Sequence, residues 1–176
     1  PVAVITAHGN VETAVRALAA LLPPRMAAGT VPCRLAHNDA KIANVLFDRA
    51  TGRARWVVDL DTVMPGLAPY DFGDLARSTV SDSEEDERDL SRVAVRIPVF
   101  EALARGFVEG AGDALSPAER SLLVTGAKVI VYEQALRFLG DHLDGDRYYR
   151  TTRPAHNLDR ARTQIRLLDG LEEAGP

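Results

Sequence analysis

The sequence has 176 residues, of which 46% are hydrophobic and 26% are charged, values that suit one globular domain with a hydrophobic core. Its formal net charge of −4 gives no electrostatic support for a nucleic-acid partner. No apolar run approaches the roughly 18 residues of a membrane-spanning helix, so we expect a soluble protein with no membrane partner.

The single cysteine, Cys33, excludes an internal disulfide and fits the reducing cytosol. The opening residues PVAVITAHGN have an apolar start but no basic segment, so a secretory signal is not indicated. Together these features predict a cytoplasmic protein. Cys33 itself stands beside a strand-like run and is interpreted as a small core residue.

The first part of the chain predicts one helix and three strands. Apolar positions at helical spacing indicate a helix over residues 11–22, which Pro23 and Pro24 end. Thr51-Gly52 marks the turn of a hairpin between the second and third strands. The three strand-like runs are CRLA (33–36), NVLFD (44–48) and RWVVDLD (55–61).

The chain beyond Met64-Pro65-Gly66 is mainly helical in pattern. Residues 116–119 have the form of a capping box and start a long helix to about Gly145. The other predicted helices begin at YDFGDLARSTV (70–80), cover 92–112 with a disturbance at Pro98, and cover 156–173.

Six acidic residues crowd the segment SDSEEDERDL (81–90). They lack the regular alternation and the turn glycine of a calcium loop, so we expect a solvated loop or the start of a helix. The whole order of elements is one helix, three strands and then about four helices. This order predicts a mainly α fold with a small β-hairpin sheet, an α+β architecture.

Polar residues cluster between two of the strands, in the pattern His37-x-Asp39-x-Lys41-x-x-Asn44. A second acidic pair, Asp59 and Asp61, ends the next strand. Phosphoryl transfer needs a carboxylate to orient the acceptor hydroxyl, metal ions on the phosphates and positive charge near the transferred group. Mg²⁺ prefers oxygen ligands and takes one or two carboxylates from a protein. The spacing therefore allows a phosphotransfer site.

The same motifs resemble a known group of enzymes. HND followed by DLD resembles the catalytic loop and metal-binding strand of the aminoglycoside phosphotransferase and choline kinase superfamily, within the protein-kinase-like fold. The blocks VVDLDTVMPG, YDFGDLAR, RFLGDHLDGDRYY and HNLDRARTQ resemble the N-acetylhexosamine 1-kinases. Those enzymes phosphorylate the anomeric hydroxyl of N-acetylglucosamine or N-acetylgalactosamine. The likeness extends from residue 37 to about residue 168.

The resemblance implies ATP as phosphoryl donor, Mg²⁺ as cofactor and roles for five residues of the motif. Asp39 is expected to be the catalytic base or the group that orients the sugar hydroxyl. Lys41 is expected near the γ-phosphate, although a solvated lysine is the alternative. Asn44 and Asp59 are expected to bind Mg²⁺. Asp61 either adds to that site or caps the turn after the strand.

The resemblance also implies supporting and substrate-binding residues. His37 is expected to brace the loop, and Asp74 to anchor the loop backbone from the following helix. Arg137 and Tyr148 are expected to line the sugar pocket. Two structural alternatives remain open, namely that Arg137 pairs with Glu133 one helical turn back and that Tyr148 only packs between helices.

Kinases of this fold also have an N-terminal lobe with a glycine-rich loop and a strand lysine. No Gly-x-Gly cluster precedes residue 37, and the only lysines are Lys41 and Lys128. Residues 1–176 therefore resemble the C-terminal, catalytic lobe alone, with the nucleotide lobe missing from this chain. We expect the chain by itself to be weakly active or inactive.

Two other functions compete with a sugar 1-kinase. One is a kinase for another hydroxyl compound, such as an aminoglycoside or a choline-like amine, which would favour an acidic pocket. The other is a non-catalytic half-kinase that serves as a binding module. Binding of magnesium and ATP distinguishes the second, because a scaffold has no need of either.

Overall fold

The computed structural model describes residues 31–174, in which helices predominate over short strands. The predicted helix over 11–22 lies outside the described residues. The strands are β1 (Arg34–Ala36), β2 (Val45–Phe47), β3 (Ala54–Val57) and β4 (Met64–Gly66). The helices are α1 (Ala68–Arg77), α2 (Ile97–Ala111), α3 (Pro117–Arg120), α4 (Leu123–Leu143) and α5 (His156–Glu173). The predicted α+β class is confirmed.

Strands β2 and β3 form the predicted antiparallel hairpin, with Val45 opposite Val57. Its turn closes because one oxygen of Asp48 accepts the backbone N–H of Ala50 at 3.1 Å and that of Thr51 at 2.9 Å. Gly52 then adopts a φ of +66°, a left-handed value that side chains disfavour. The Thr-Gly turn signal therefore has a direct structural basis.

Strand β1 pairs with β4 rather than with the hairpin, so the three predicted strands do not form one sheet. Arg34 lies opposite Gly66 and Ala36 opposite Met64, which gives two separate two-stranded sheets. Strand β4 is not evident from the sequence, because the strand is only three residues long and has Pro65 at its centre. Proline has no N–H for a strand ladder and is typical of turns.

The core lies among α1, α4 and α5. Phe72 of α1 is fully buried against Val131 and Tyr132 of α4, and Leu168 of α5 joins the same cluster. Helices α1 and α4 pack closely at Gly126. A Cβ at this position would lie 2.2 Å from a backbone oxygen of α1, so only glycine fits there. Burial of this apolar surface is the main force that holds the helices together.

The boundaries of two helices differ from the predictions. α2 begins at Ile97, with Pro98 in its first turn, where a missing N–H costs nothing. The predicted disturbance inside a helix over 92–112 is therefore wrong. The capping box at Ser116 is confirmed, but it opens the short α3, and the chain turns at 121–122 before α4 begins. Cys33 is exposed, so its interpretation as a core residue is also wrong.

The acidic segment 81–90 is a loop whose acids pair with basic residues instead of only facing water. Asp86 lies 2.9 Å from a guanidinium nitrogen of Arg153 and 3.0 Å from Nε2 of His156 at the start of α5. Glu85 pairs with Arg77 of α1 at 3.3 Å. These pairs fasten the loop between α1 and α5. Within residues 31–174, no helix is both long and apolar enough to cross a membrane.

Candidate phosphotransfer site

The loop between β1 and β2 is held by a carboxylate at the start of α1. Asp71 accepts the backbone N–H of His37 through one oxygen and that of Asn38 through the other, both at 2.8 Å. Asn38 has a φ of +60°, and its side-chain amide donates to the backbone oxygen of Thr62 at 3.1 Å. The chain is therefore fixed just before Asp39.

Asp74, the predicted anchor of the loop backbone, does not make these bonds, so that assignment is corrected to Asp71. The Asp74 carboxylate instead accepts from Nε of Arg77 at 2.8 Å. Burial raises the pKa of Asp74, and the charge of Arg77 only partly opposes the rise. The link from Asp74 to the loop is indirect, since its backbone oxygen accepts from Ser78, whose Oγ accepts the N–H of Ile42 at 2.9 Å.

His37 connects the loop to the end of the hairpin. Its Nε2 lies 3.0 Å from the backbone oxygen of Val58, and its own backbone oxygen accepts from Oγ1 of Thr62 at 2.7 Å. The N–H of Val58 in turn donates to the backbone oxygen of Asn44 at 2.9 Å. These bonds hold the residue before Asp59 against both ends of the loop.

Asp39, Lys41 and Asn44 are in direct contact. One oxygen of the Asp39 carboxylate, Oδ2, accepts from Nζ of Lys41 at 2.7 Å and from Nδ2 of Asn44 at 3.0 Å. Nδ2 of the buried Asn44 also donates to the backbone oxygen of Asp39 at 2.8 Å. Lys41 is therefore an ion-pair partner of Asp39 rather than a freely solvated lysine. The second Asp39 oxygen is outside these bonds.

The two acids after β3 are exposed and lie on either side of Leu60 in a short turn. Asp59 has a φ of +62°, a left-handed conformation that aspartate tolerates better than most residues. Asp61 belongs to the 3₁₀ turn Leu60–Thr62. In the part of the chain that the structure describes, no three His, Cys, Asp or Glu side chains are grouped to hold one metal ion. Any ion here needs oxygens from a ligand as well.

A cavity of about 450 Å³ opens beside Asp39 and brings together sequence-predicted residues from two parts of the chain. Asp39 and Lys41 line it from the loop, and Arg137 and Tyr148 line it from α4 and the segment after α4. Asn44, Asp59 and Asp61 are outside this lining. The lining also contains residues that the sequence did not indicate, among them Gln134, Phe138, Tyr149, Arg150 and Arg160.

Arg137 lies against aromatic rings at the wall of this cavity. Its guanidinium carbon is 5.9 Å from the centre of the Tyr148 ring and 5.8 Å from that of Tyr149, which is cation–π distance. The two rings meet edge to face at 4.8 Å. Tyr148 is 75% exposed, so its ring is open to a ligand rather than packed between helices.

Two of the site's supporting residues have weak sequence signals. Asp71 lies three residues before Asp74, and its position in the first turn of a helix that follows a tight loop was the only hint. Asp141 lies near the C-terminal end of α4, within the block RFLGDHLDGDRYY, and the sequence indicated no role for it. Its carboxylate accepts three backbone N–H groups from the loop after α4, a pairing that no local pattern predicts.

Comparison with protein-family models matches residues 5–116 to the model described as the phosphotransferase enzyme family (APH). The matched range is more than half of the chain, and it contains the loop with Asp39 and Asn44 and the acidic pair at Asp59. It ends before α4, so it does not reach Arg137 or Tyr148. The likeness of the motifs to the aminoglycoside phosphotransferase and choline kinase superfamily is thereby confirmed. The chain belongs to the phosphotransferase enzyme family.

Proposed function

We propose that this chain is the catalytic, acceptor-binding lobe of an ATP- and Mg²⁺-dependent phosphotransferase that acts on the anomeric hydroxyl of an N-acetylhexosamine. The observation that carries the proposal is the place of Asp39. Its carboxylate lies at one wall of a 450 Å³ cavity, and Arg137 and Tyr148 line the same cavity. A guanidinium can bind sugar oxygens, and an exposed ring can pack on the apolar face of a pyranose.

The reaction needs one carboxylate oxygen that is free to receive a proton. Lys41 and Asn44 both bind Oδ2 of Asp39, which fixes the carboxylate and leaves Oδ1 for the acceptor hydroxyl. As the new oxygen–phosphorus bond forms, the hydroxyl proton passes to Asp39 and the bond to the ADP oxygen breaks. The products are the sugar 1-phosphate and ADP.

The residues around Asn44 fit the expected metal ion. Because its Nδ2 is engaged by Asp39, the Asn44 side chain directs its other atom, Oδ1, away from that carboxylate. Asp59 supplies a carboxylate on the residue after Val58, which is bonded to Asn44. This donor set suits Mg²⁺, which takes few protein ligands and completes its shell with phosphate and water. When bound, the ion neutralises phosphate charge.

The strands next to this site expose apolar side chains that suit a covering lobe. Trp56 and Phe47 of the hairpin are 71% and 50% exposed, and Leu46, Val57 and Leu60 are also exposed. A patch of this kind marks a surface that another structure covers. We infer that a nucleotide-binding lobe packs here in the complete enzyme, and that the chain without it is weakly active or inactive.

The charge of the cavity supports a neutral sugar over a cationic acceptor. Five basic side chains and two carboxylates line it: Lys41, Arg77, Arg137, Arg150 and Arg160, with Asp39 and Glu85. Because both carboxylates already pair with basic residues, a bound ammonium group would meet mainly repulsion.

An amine acceptor is the second candidate, and a smaller cavity favours it. This adjoining cavity of about 170 Å³ is lined by Asp39, Asp74 and Glu133, three acids that an ammonium group could pair with. Arg77 and Arg137 also line it, so its acidity is partly offset. The two candidates therefore differ in which cavity the acceptor occupies.

A substrate panel with the complete enzyme distinguishes these functions. N-acetylglucosamine, N-acetylgalactosamine, an aminoglycoside and choline are each supplied with ATP and Mg²⁺, and ³¹P NMR identifies the product. We expect a sugar 1-phosphate from a hexosamine and no transfer to either amine. Transfer only to an amine would show that the acceptor is an amine and would contradict the proposed sugar acceptor. Calorimetry that detects no Mg²⁺–ATP binding would instead support the non-catalytic module.

A further inference from the structure

The Asp141 carboxylate binds the backbone of the loop that follows α4. Oδ1 accepts the N–H of Arg147 at 2.9 Å and that of Tyr148 at 2.7 Å, and Oδ2 accepts the N–H of Tyr149 at 2.9 Å. Asp141 is only 8% exposed. A buried carboxylate with three backbone donors is a strong constraint, because each bond is charge-assisted and screened from water.

The same carboxylate is tied to α5. Nδ2 of Asn157, a fully buried residue near the start of that helix, donates to Oδ2 of Asp141 at 2.8 Å and to Oδ1 of Asp146 at 2.9 Å. The N–H of Asp146 donates to the backbone oxygen of Asp141 at 2.8 Å. One side chain thus joins α4, the loop and α5.

What this loop presents is the aromatic wall of the cavity. Tyr148 and Tyr149, whose N–H groups Asp141 holds, are the two rings that face the guanidinium of Arg137. Arg137 itself lies four residues before Asp141, one turn along the same helix. Nε2 of Gln134, a further turn back, lies 3.2 Å from the hydroxyl of Tyr149. The rings and the guanidinium are therefore placed by the same helix.

We propose that Asp141 is the positioning residue of the acceptor site, which fixes Tyr148 and Tyr149 opposite Arg137 and so sets the fit to a sugar ring. It acts through the loop and does not itself touch the acceptor. The identity of the sugar rests on the proposed function, whereas the restraint of the loop does not.

The arrangement predicts that even an isosteric change at Asp141 weakens the hold on the loop. Both oxygens of Asp141 accept backbone N–H groups, so Asp141→Asn turns an NH₂ group towards at least one N–H donor. Burial acts to raise the pKa of Asp141, but the N–H groups of Tyr149, Tyr148 and Arg147 outweigh it and lower the pKa. The ionised form is the one that the loop requires.

The test compares sugar binding by Asp141→Asn with that by Asp48→Asn, using calorimetry or NMR titration with N-acetylglucosamine. Asp48 also accepts backbone N–H groups in a loop, but through one oxygen, and its turn is outside the cavity lining. We expect about tenfold weaker binding for Asp141→Asn and no change for Asp48→Asn. Equal affinities in wild type and Asp141→Asn overturn the proposal.

A mutant cycle separates positioning from general stability. If Asp141 acts through Tyr148, Tyr148→Ala weakens binding in the wild-type background and adds little in the Asp141→Asn background. Fully additive effects would show that Asp141 contributes only to folding. This readout also tests the positioning role separately from the identity of the sugar. If the wild-type chain did not bind the sugar, that result would count against the proposed acceptor. It would not count against the restraint that Asp141 places on the loop (the clamp).

Amide exchange in the wild-type chain tests the clamp without any variant or ligand. The N–H groups of Arg147, Tyr148 and Tyr149 are expected to exchange with deuterium more slowly than the neighbouring N–H of Arg150. Exchange of all four at the same rate would show that the carboxylate does not restrain the loop, and the proposal would fail even if Asp141→Asn proved unable to fold.

Discussion

Two regions of this protein bury their apolar residues to very different degrees. One is the packed set of helices α1, α4 and α5 (the helical body), and the other is the hairpin of β2 and β3 (the strand edge). In the helical body, Phe72, Val131 and Tyr132 are almost completely buried. On the strand edge, Trp56 is 71% exposed and Phe47 is 50% exposed, and both belong to the hairpin that follows the loop with Asp39. The cavity wall formed by Arg137 and Tyr148 is thus adjacent to a buried core, whereas the hairpin, proposed above to face the nucleotide lobe, has exposed apolar side chains.

The largest expected effect lies where these two regions meet. Asp39→Asn removes the proton acceptor but keeps the size of the side chain, so we expect kcat of the complete enzyme to fall about 10²- to 10⁴-fold. Sugar binding by the helical body should change little, because Arg137 and Tyr148 remain in place. Steady-state kinetics and calorimetry check both parts. Undiminished turnover would contradict the assignment of Asp39.

Acid should weaken the junction between α3 and β1 through Glu119. Its carboxylate, which is fully buried, accepts from Nε and Nη2 of Arg34 at 2.5 and 2.8 Å. These bonds, ahead of those from Ser116, lower the pKa of Glu119 to about 2. Because the folded-state pKa is depressed, the stabilisation is complete above the unfolded pKa near 4.5 and is lost as the pH falls towards 2.

The variant Glu119→Gln tests this contribution, because it removes the charge of the carboxylate and keeps the size of the side chain. Wild type should lose at most about 3 kcal/mol of unfolding free energy over that pH range because of this group. The variant should be less stable at pH 7 and should lack this part of the pH dependence. Urea unfolding at several pH values measures it, and parallel pH profiles for the two proteins would exclude the role of Glu119.

A smaller loss of stability is expected where α1 meets α4. Gly126→Ala would place a Cβ 2.2 Å from a backbone oxygen of Pro69, so the helices must separate, at about 1–3 kcal/mol. Gly106→Ala is the control, since nothing lies within 4 Å of a Cβ at that exposed position in α2, and there alanine should stabilise slightly. Urea midpoints compare them. Equal effects would contradict the close packing of the helical body.

The smallest effect on the chain by itself is expected at the strand edge. Trp56→Ser should change its unfolding free energy by less than about 0.5 kcal/mol, because the ring is mostly exposed. In the complete enzyme the same change should raise KM for ATP, since the ring would then be covered by the nucleotide lobe. A large loss of stability in the chain alone would show that this edge is already packed.

Local patterns predicted the parts of the fold that depend on neighbouring residues. The hairpin turn at Thr51-Gly52 and the capping box at Ser116 are set by contacts within a few residues, and both are confirmed. Strand β4 was not predicted, because its pairing with β1 joins residues about 30 positions apart and Pro65 is atypical of a strand. Sequence periodicity carries no information on such long-range pairing.

The same distinction holds for the candidate site. The spacing of Asp39, Lys41 and Asn44 placed all three on one short loop, but their direct contacts through Oδ2 of Asp39 are seen only in the structure. The anchor of that loop was assigned to Asp74 instead of Asp71, since both acids lie in the same helix and only three-dimensional geometry shows which one faces the loop. Asp141 was missed for the same reason.

The most direct test of the account is where a divalent ion binds with nucleotide. Mn²⁺–ATP added to the complete enzyme should broaden the backbone NMR signals of Asn44 and Asp59 most strongly, because paramagnetic broadening falls steeply with distance from the ion. Arg137, which lines the cavity beside Asp39, should be less affected. Strong broadening confined to the acidic loop at residues 84–87, with Asn44 and Asp59 unchanged, would contradict a phosphotransfer site at this loop.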